Sequence, residues 1–180
     1  GVTFSAMPLP GAYRTEDGIS LPALTTAEMQ EMDEIAVGES GPNLYQMMEN
    51  AGRNLATVVQ DALAARDAPG PIVVLAGTGG NGGGGICAAR HLANRGLDVT
   101  LCVSRPDGLR EVPAFQRSVY GYTMGAVVDV KNLPSLQADI VVDAVIGYSL
   151  NQAPRNETKD MIRWAHDQRS EHAAHVVSLD

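Results

Sequence analysis

Hydrophobic positions along the chain change their spacing near Gly70. Before it they recur at three- and four-residue steps; beyond it they gather in short uninterrupted runs. From Thr25 onward, Met29, Met32, Ile35 and Ala36 share one helical face. Thr25 with Glu28 has the spacing of a capping box, in which each residue satisfies a backbone N–H of the other. Gly38 and Gly41-Pro42 are expected to stop this helix. A second helix is predicted from Asn43, with Leu44, Met48, Ala51, Leu55, Val58 and Ala62 along its apolar side, ending before Asp67-Ala68-Pro69-Gly70. The methionines in both stripes read as core packing.

Beyond Gly70 the apolar runs predict strands buried on both faces, over Pro71–Ala76, Val99–Ser104, Ala126–Val130, Ala138–Ile146 and His175–Asp180. Helices are predicted between them, over Gly83–Asn94, Val112–Met124 and Glu157–Gln168. Such alternation implies right-handed crossovers. The expected class is therefore α/β, a Rossmann-like, doubly wound, mostly parallel sheet preceded by two N-terminal helices. Residues 1–22 are expected to form a loose arm, and 23–180 one domain.

The chain has 180 residues, 44% of them hydrophobic, enough for one substantial core. A formal net charge of -8 argues against surfaces that neutralise nucleic acid or anionic lipid, and small molecules are the expected partners. No run approaches the roughly 20 apolar residues of a membrane-spanning helix. The opening segment lacks the basic start and apolar block of a secretory signal. Cys87 and Cys102 both fall in apolar stretches and read as buried free thiols, so the expected compartment is the cytoplasm.

Chemistry concentrates in "LAGTGGNGGGGICAARHL". Gly77-x-Gly79-x-x-Gly82 satisfies the dinucleotide fingerprint between a predicted strand and a predicted helix, where bare backbone and the helix dipole attract an anion. The alternative is a tight turn that binds nothing. No Lys-Ser/Thr follows Gly84, which excludes a P-loop. An NAD dehydrogenase also wants an acid at the end of the next strand; Ser104-Arg105-Pro106 stands there instead, and Arg105 can meet a 2′-phosphate. Asn81 is the one polar side chain within the glycines, able to donate and to accept.

A second signal lies in "ADIVVDAVIGYSLNQAPR", where Asp143 interrupts an apolar strand. A carboxylate there needs a partner, either a bound cation or the N–H groups of a neighbouring loop. Gly147 to Gln152 then read as a polar loop on the crest where ligands of open α/β sheets bind. Asp180 would emerge from the last strand on that crest, either as a second working carboxylate or as a polar terminus. His166, His172 and His175 have no tight ligand spacing and read as solvated.

Five stretches, "AEMQEMDEIA", "LYQMMENAGR", the glycine loop running into "ICAARHL", "VVDAVIGYS" and "VVSLD", stand in the order of the YjeF N-terminal domain family, the NAD(P)H-hydrate epimerases. Over about residues 23–180 the chain resembles that family. The resemblance implies a Rossmann-like fold, a homodimer, and interconversion of the R and S forms of NADHX and NADPHX, cofactors hydrated at C6 of the nicotinamide ring. A dehydratase for the S form is then the functional partner or a fused domain. It further implies that Gly80, Asn81, Gly82, Gly83 and Gly84 cradle the substrate and that Asn81 with Asp143 holds a potassium ion. Gly147, Tyr148, Ser149, Leu150, Asn151, Gln152 and Ala153 become a second substrate loop, and Asp180 the catalytic carboxylate.

Departures from the family accompany the likeness. Its loop reads Gly-Asn-Asn-Gly-Gly-Asp-Gly where this chain has Gly79 to Gly85 with Asn81 alone, so one amide and one carboxylate are missing. The family continues past the position of Asp180 with Ile-Pro-Ser-Gly, whose serine is expected to help bind potassium. These differences keep open weakened activity, or a catalytically silent domain acting as a binding or dimerisation module.

Overall fold

The computed structural model describes residues 12–66, 70–147, 150 and 153–179. The chain forms two compact units that divide between Gly41 and Pro42.

In the first unit, residues 12–22, read as part of a loose arm, carry an antiparallel pair: β1 (Ala12–Arg14) runs beside β2 (Ser20–Pro22). Gly18 turns the chain between them at φ +83, a left-handed conformation in which a Cβ would be strained. Helix α1 (Thr26–Ile35) starts as its spacing predicts. Glu28 Oε2 accepts the Thr25 N–H at 2.7 Å, and Thr25 Oγ1 accepts the Glu28 N–H at 3.3 Å. The helical path does not stop at Gly38. It widens into a π-turn over Ala36–Ser40 and ends at Gly41, whose φ of 119 only glycine adopts readily.

In the second unit, α2 (Leu44–Ala64) has its own capping box, with Asn43 and Gln46 exchanging side-chain to backbone hydrogen bonds of 2.9 and 3.0 Å. Then come β3 (Ile72–Ala76), α3 (Gly80–Asn94), β4 (Val99–Val103), α4 (Glu111–Tyr120), β5 (Ala126–Val128), β6 (Ile140–Ala144), α5 (Asn156–His172) and β7 (His175–Ser178). The five strands form one sheet in the order β5-β4-β3-β6-β7, and every neighbouring pair is parallel.

Alternate strand residues feed two cores. Ile72, Val74, Leu101, Ile140 and Val142 face α2, α3 and α4; Val73, Leu75, Cys102 and Val141 face α5 and the 3-10 turn Val130–Ser135. Each such side chain, fully removed from water, contributes about 1.5–3 kcal/mol. That two-sided burial explains why the strands read as unbroken apolar runs.

Boundaries moved where tertiary contacts override local preference. Helix α3 begins at Gly80 rather than Gly83, because its glycines let the backbone press against the sheet, a gain that outweighs their poor helix propensity. Helix α4 stops at Tyr120 rather than Met124. The Tyr120 hydroxyl donates to the carbonyls of Val99 and Ala126, and Gly125 leaves room for its ring. Strand β6 is trimmed to Ile140–Ala144, and α5 extends to His172 before Ala173 turns left-handed at φ 54.

Candidate functional site at the sheet crest

Successive strands are added outward in opposite directions from β3 and β6: β4 and β5 lie on one side, β7 on the other. The crevice beyond the carboxyl ends of β3 and β6 is the switch point at which open α/β sheets bind ligands. The glycine loop leaves β3 here. Gly79 caps α3 without a side-chain hydrogen bond. Gly79 and Gly80 are exposed, with nothing within 4 Å of where a Cβ would stand. Bare backbone at the N-terminal end of α3, the positive end of the helix dipole, is the arrangement that receives an anion.

The later glycines do different work. A Cβ at Gly82 would overlap the Gly77 carbonyl, one at Gly83 would lie 2.9 Å from the Met48 side chain, and one at Gly84 2.8 Å from Leu179 Cδ2. Gly82, Gly83 and Gly84 are buried and let α3 seat against the sheet crest and α2. Gly80 is thus the open member of the expected cradle, and the three that follow are packing glycines.

Asn81 ties three loops together. Its Nδ2 donates to the carbonyl of Ile146 at 3.1 Å, after β6, and to that of Leu179 at 2.6 Å, after β7. Gly147 presses against the same amide, a Cβ there falling 3.1 Å from Asn81 Cγ. Asp143 lies at the upper end of β6 and is half-buried rather than enclosed. Its Oδ1 accepts the Val145 N–H at 3.1 Å, so the carboxylate shapes the loop leaving its own strand. Its backbone carbonyl accepts the Leu179 N–H at 2.9 Å. Asn81 and Asp143 are therefore joined through Leu179. Asp180, Tyr148, Ser149, Asn151 and Gln152 lie outside the described residues.

Beside the crevice is a cavity of about 380 Å³ whose wall includes Arg105, Ile146, Leu150, Ala153 and Arg155. Leu150 and Ala153, both expected in the second substrate loop, are exposed there. Arg155, the backbone N-cap of α5, was missed by sequence reasoning. A basic residue immediately before a helix that follows the crest loop was the available signal.

A second polar cluster, also missed, lies at the middle of α3. Glu49 of α2 receives Arg90 Nη2 at 2.7 Å on Oε1, with His91 Nε2 2.7 Å from the same oxygen. Burial raises the Glu49 pKa, but the hydrogen bonds from Arg90 and His91 outweigh it and hold the carboxyl at about 2. Glu49, Cys87 and His91 offer ligand atoms within 4.8 Å of one another. The Arg90 guanidinium already fills that space, 3.5 Å from Cys87 Sγ and 3.4 Å from His91 Nε2. Burial pushes the Cys87 thiol up to about 11, so it stays neutral. A guanidinium, not a metal ion, balances this carboxylate. Cys87 and Cys102 are both free and buried, as their apolar surroundings predict. His166, His172 and His175 form no common cluster: His166 sits by Asp167, His172 bonds Gln137, and His175 opens β7. Among the described residues no helix is long and apolar enough to cross a membrane.

Parallel order and a switch-point crevice define a Rossmann-like α/β domain. The family described as YjeF-related protein N-terminus matches residues 44–180, and the chain belongs to it. It is 46% identical over 168 residues to an NAD(P)H-hydrate epimerase of Dehalogenimonas lykanthroporepellens, covering 93% of this chain and 67% of that one. It is 36% identical over 129 residues to a bifunctional NAD(P)H-hydrate repair enzyme of Hyperthermus butylicus, covering 68% of this chain but only 24% of that protein. The crystal structure of yeast ynu0 superposes with a TM-score of 0.76 at 23% identity, over 89% of this chain and 70% of that one, a likeness of fold.

Proposed function

We propose that this chain is an epimerase domain that interconverts the R and S forms of NADHX and NADPHX. The Asn81 clasp carries the reading: one side chain gathers the ends of β3, β6 and β7 around the crevice, leaving the Gly79-Gly80 backbone open for a pyrophosphate. The names of the relatives support the same activity.

Under this reading Gly80 to Gly84 line the phosphate side, with Gly80 supplying the accessible backbone, and Gly147 to Ala153 serve as the second substrate loop. Asp180, one residue past Leu179, is the catalytic carboxyl. As the acid it gives its proton to the C6 hydroxyl, the C6–O bond breaks, and water departs while the ring nitrogen lone pair forms an iminium. Water adds to the opposite face of C6 and returns a proton to the Asp180 carboxylate, which inverts the centre. The oxygen donors suit an alkali cation. Asn81 uses its NH2 on two carbonyls, which leaves Oδ1 as its acceptor, and Asp143 adds a carboxylate. A potassium ion held by these two would offset negative charge beside an anionic substrate. A dehydratase specific for the S form is the functional partner, and a homodimer the expected assembly.

The test follows consumption of R-NADHX in excess S-specific dehydratase. Conversion faster than spontaneous epimerisation is expected; a rate at the spontaneous level favours a silent binding module instead. Asp180→Asn should slow turnover by about 10²–10⁴-fold with an unchanged melting curve, and an undiminished rate removes Asp180 from the chemistry.

A further inference from the structure

We infer that the crest prefers the 2′-phosphorylated substrate, NADPHX, over NADHX, and that Arg105 and Arg155 set this preference; the inference rests on the epimerase reading above. In a sheet of this order the pyrophosphate is drawn to the helix after the first switch-point strand. The residue ending the next strand outward then stands over the adenosine ribose. Here those elements are α3 and β4. A site that reads free ribose hydroxyls places an acceptor carboxylate at that position. This chain has Arg105, which can only donate and whose planar fork matches a phosphate.

The surrounding backbone places Arg105 beside the crevice. The Ser104 N–H bonds the Ala76 carbonyl at 2.9 Å, so the β4–β3 ladder continues up to Arg105. The 3-10 turn Pro106–Gly108 then folds against the glycine loop, a Cβ at Gly108 falling 3.1 Å from Thr78 Cγ2. Arg155 joins Arg105 on the wall of the same cavity of about 380 Å³. It stands at the start of α5, a helix of 17 residues with no side-chain cap. Neither guanidinium makes an ion pair among the described residues, and Glu157 is the acidic residue on that wall. Two guanidinium groups and a helix N-terminus against one carboxylate favour a phosphate monoester dianion.

Calorimetric titration with 2′-phospho-ADP-ribose and with ADP-ribose tests this without turnover. The native chain should bind the phosphorylated ligand on the order of tenfold more tightly, the return of one or two charge-assisted hydrogen bonds. Arg105→Gln should bring the ratio close to one, and Arg155→Gln should reduce it. The ratio of kcat/KM for NADPHX over NADHX should follow the same order. Equal affinity in the native chain, or a preference that survives the double substitution, overturns the inference. If both ligands bind equally and R-NADHX is still converted, the preference alone falls. If neither binds and nothing is converted, the epimerase reading falls with it.

Discussion

Helix α3 carries polar chemistry at its start and at its middle, and the two clusters are built on opposite plans. At the middle, Glu49 meets Arg90, His91 and Gln116 side chain to side chain, pinning α3 to α2 and α4. At the start, Asn81 bonds backbone carbonyls of two loops leaving the sheet, and nothing stands within 4 Å of where a Cβ of the preceding Gly79 or Gly80 would lie. The first arrangement consumes its own charges; the second arranges backbone around an opening. A strongly shifted pKa and a metal-like donor set therefore mark the structural cluster here, while the sheet crest is marked by bare backbone and by Arg105 and Arg155, which make no ion pair among the described residues. Perturbed titration is a guide to function only when the perturbing partner is not already part of the fold.

Four substitutions on or beside α3 sharpen this contrast. The largest effect is expected between two glycines of one helical turn. Gly82→Ala puts a methyl into the Gly77 carbonyl, backbone against backbone, and should cost about 3 kcal/mol or more. Gly80→Ala enters open space and should move stability by no more than about 0.5 kcal/mol. Denaturant unfolding of the pair measures the difference, and equal losses would erase the division into open and packing glycines.

Next comes Asn81→Asp. A carboxylate cannot donate to Ile146 and Leu179, and it sets a negative charge against their oxygens, for an expected loss of about 2–3 kcal/mol. Epimerisation should fall further than stability alone accounts for, because the three loop ends lose their common tie. Activity measured well below the melting temperature separates the two, and a fully active variant would show that the clasp does not position the site.

The smallest effect belongs to Glu49→Gln, which should remove about 1–2 kcal/mol near neutral pH, a figure discounted for screening of a side chain 45% exposed. The native carboxyl titrates at about 2 against 4.5 for an unperturbed one. Its stabilisation is thus fully present above about pH 4.5 and disappears as pH falls toward 2. Melting temperatures of native and variant chains should converge across that acid window. A gap that stays constant down to pH 2 would mean that the ion pair is not what Glu49 contributes.

Local spacing made much of the fold legible. Thr25 with Glu28 announced the first helix start, and the unbroken runs at 71–76 and around Asp143 announced strands covered on both faces. The misplaced ends share a cause: Gly80 begins α3 and Tyr120 ends α4 because of atoms far along the chain, whereas propensity reads only neighbours. The crest was legible as a set of residues, Asn81, Asp143 and Arg105 among them. The Glu49 cluster was not, since nothing local relates Glu49 to residues 41 and 42 positions later.

The sequence alone determined the alternation of strands and helices and the cap of the first helix, because these follow from periods of two to four residues. Only the tertiary structure decided which glycines are open and which are packed, and that the Asn81 amide spends its hydrogens on carbonyls 65 and 98 residues away. A hydrogen bond depends on distance and direction in space, and separation along the chain records neither.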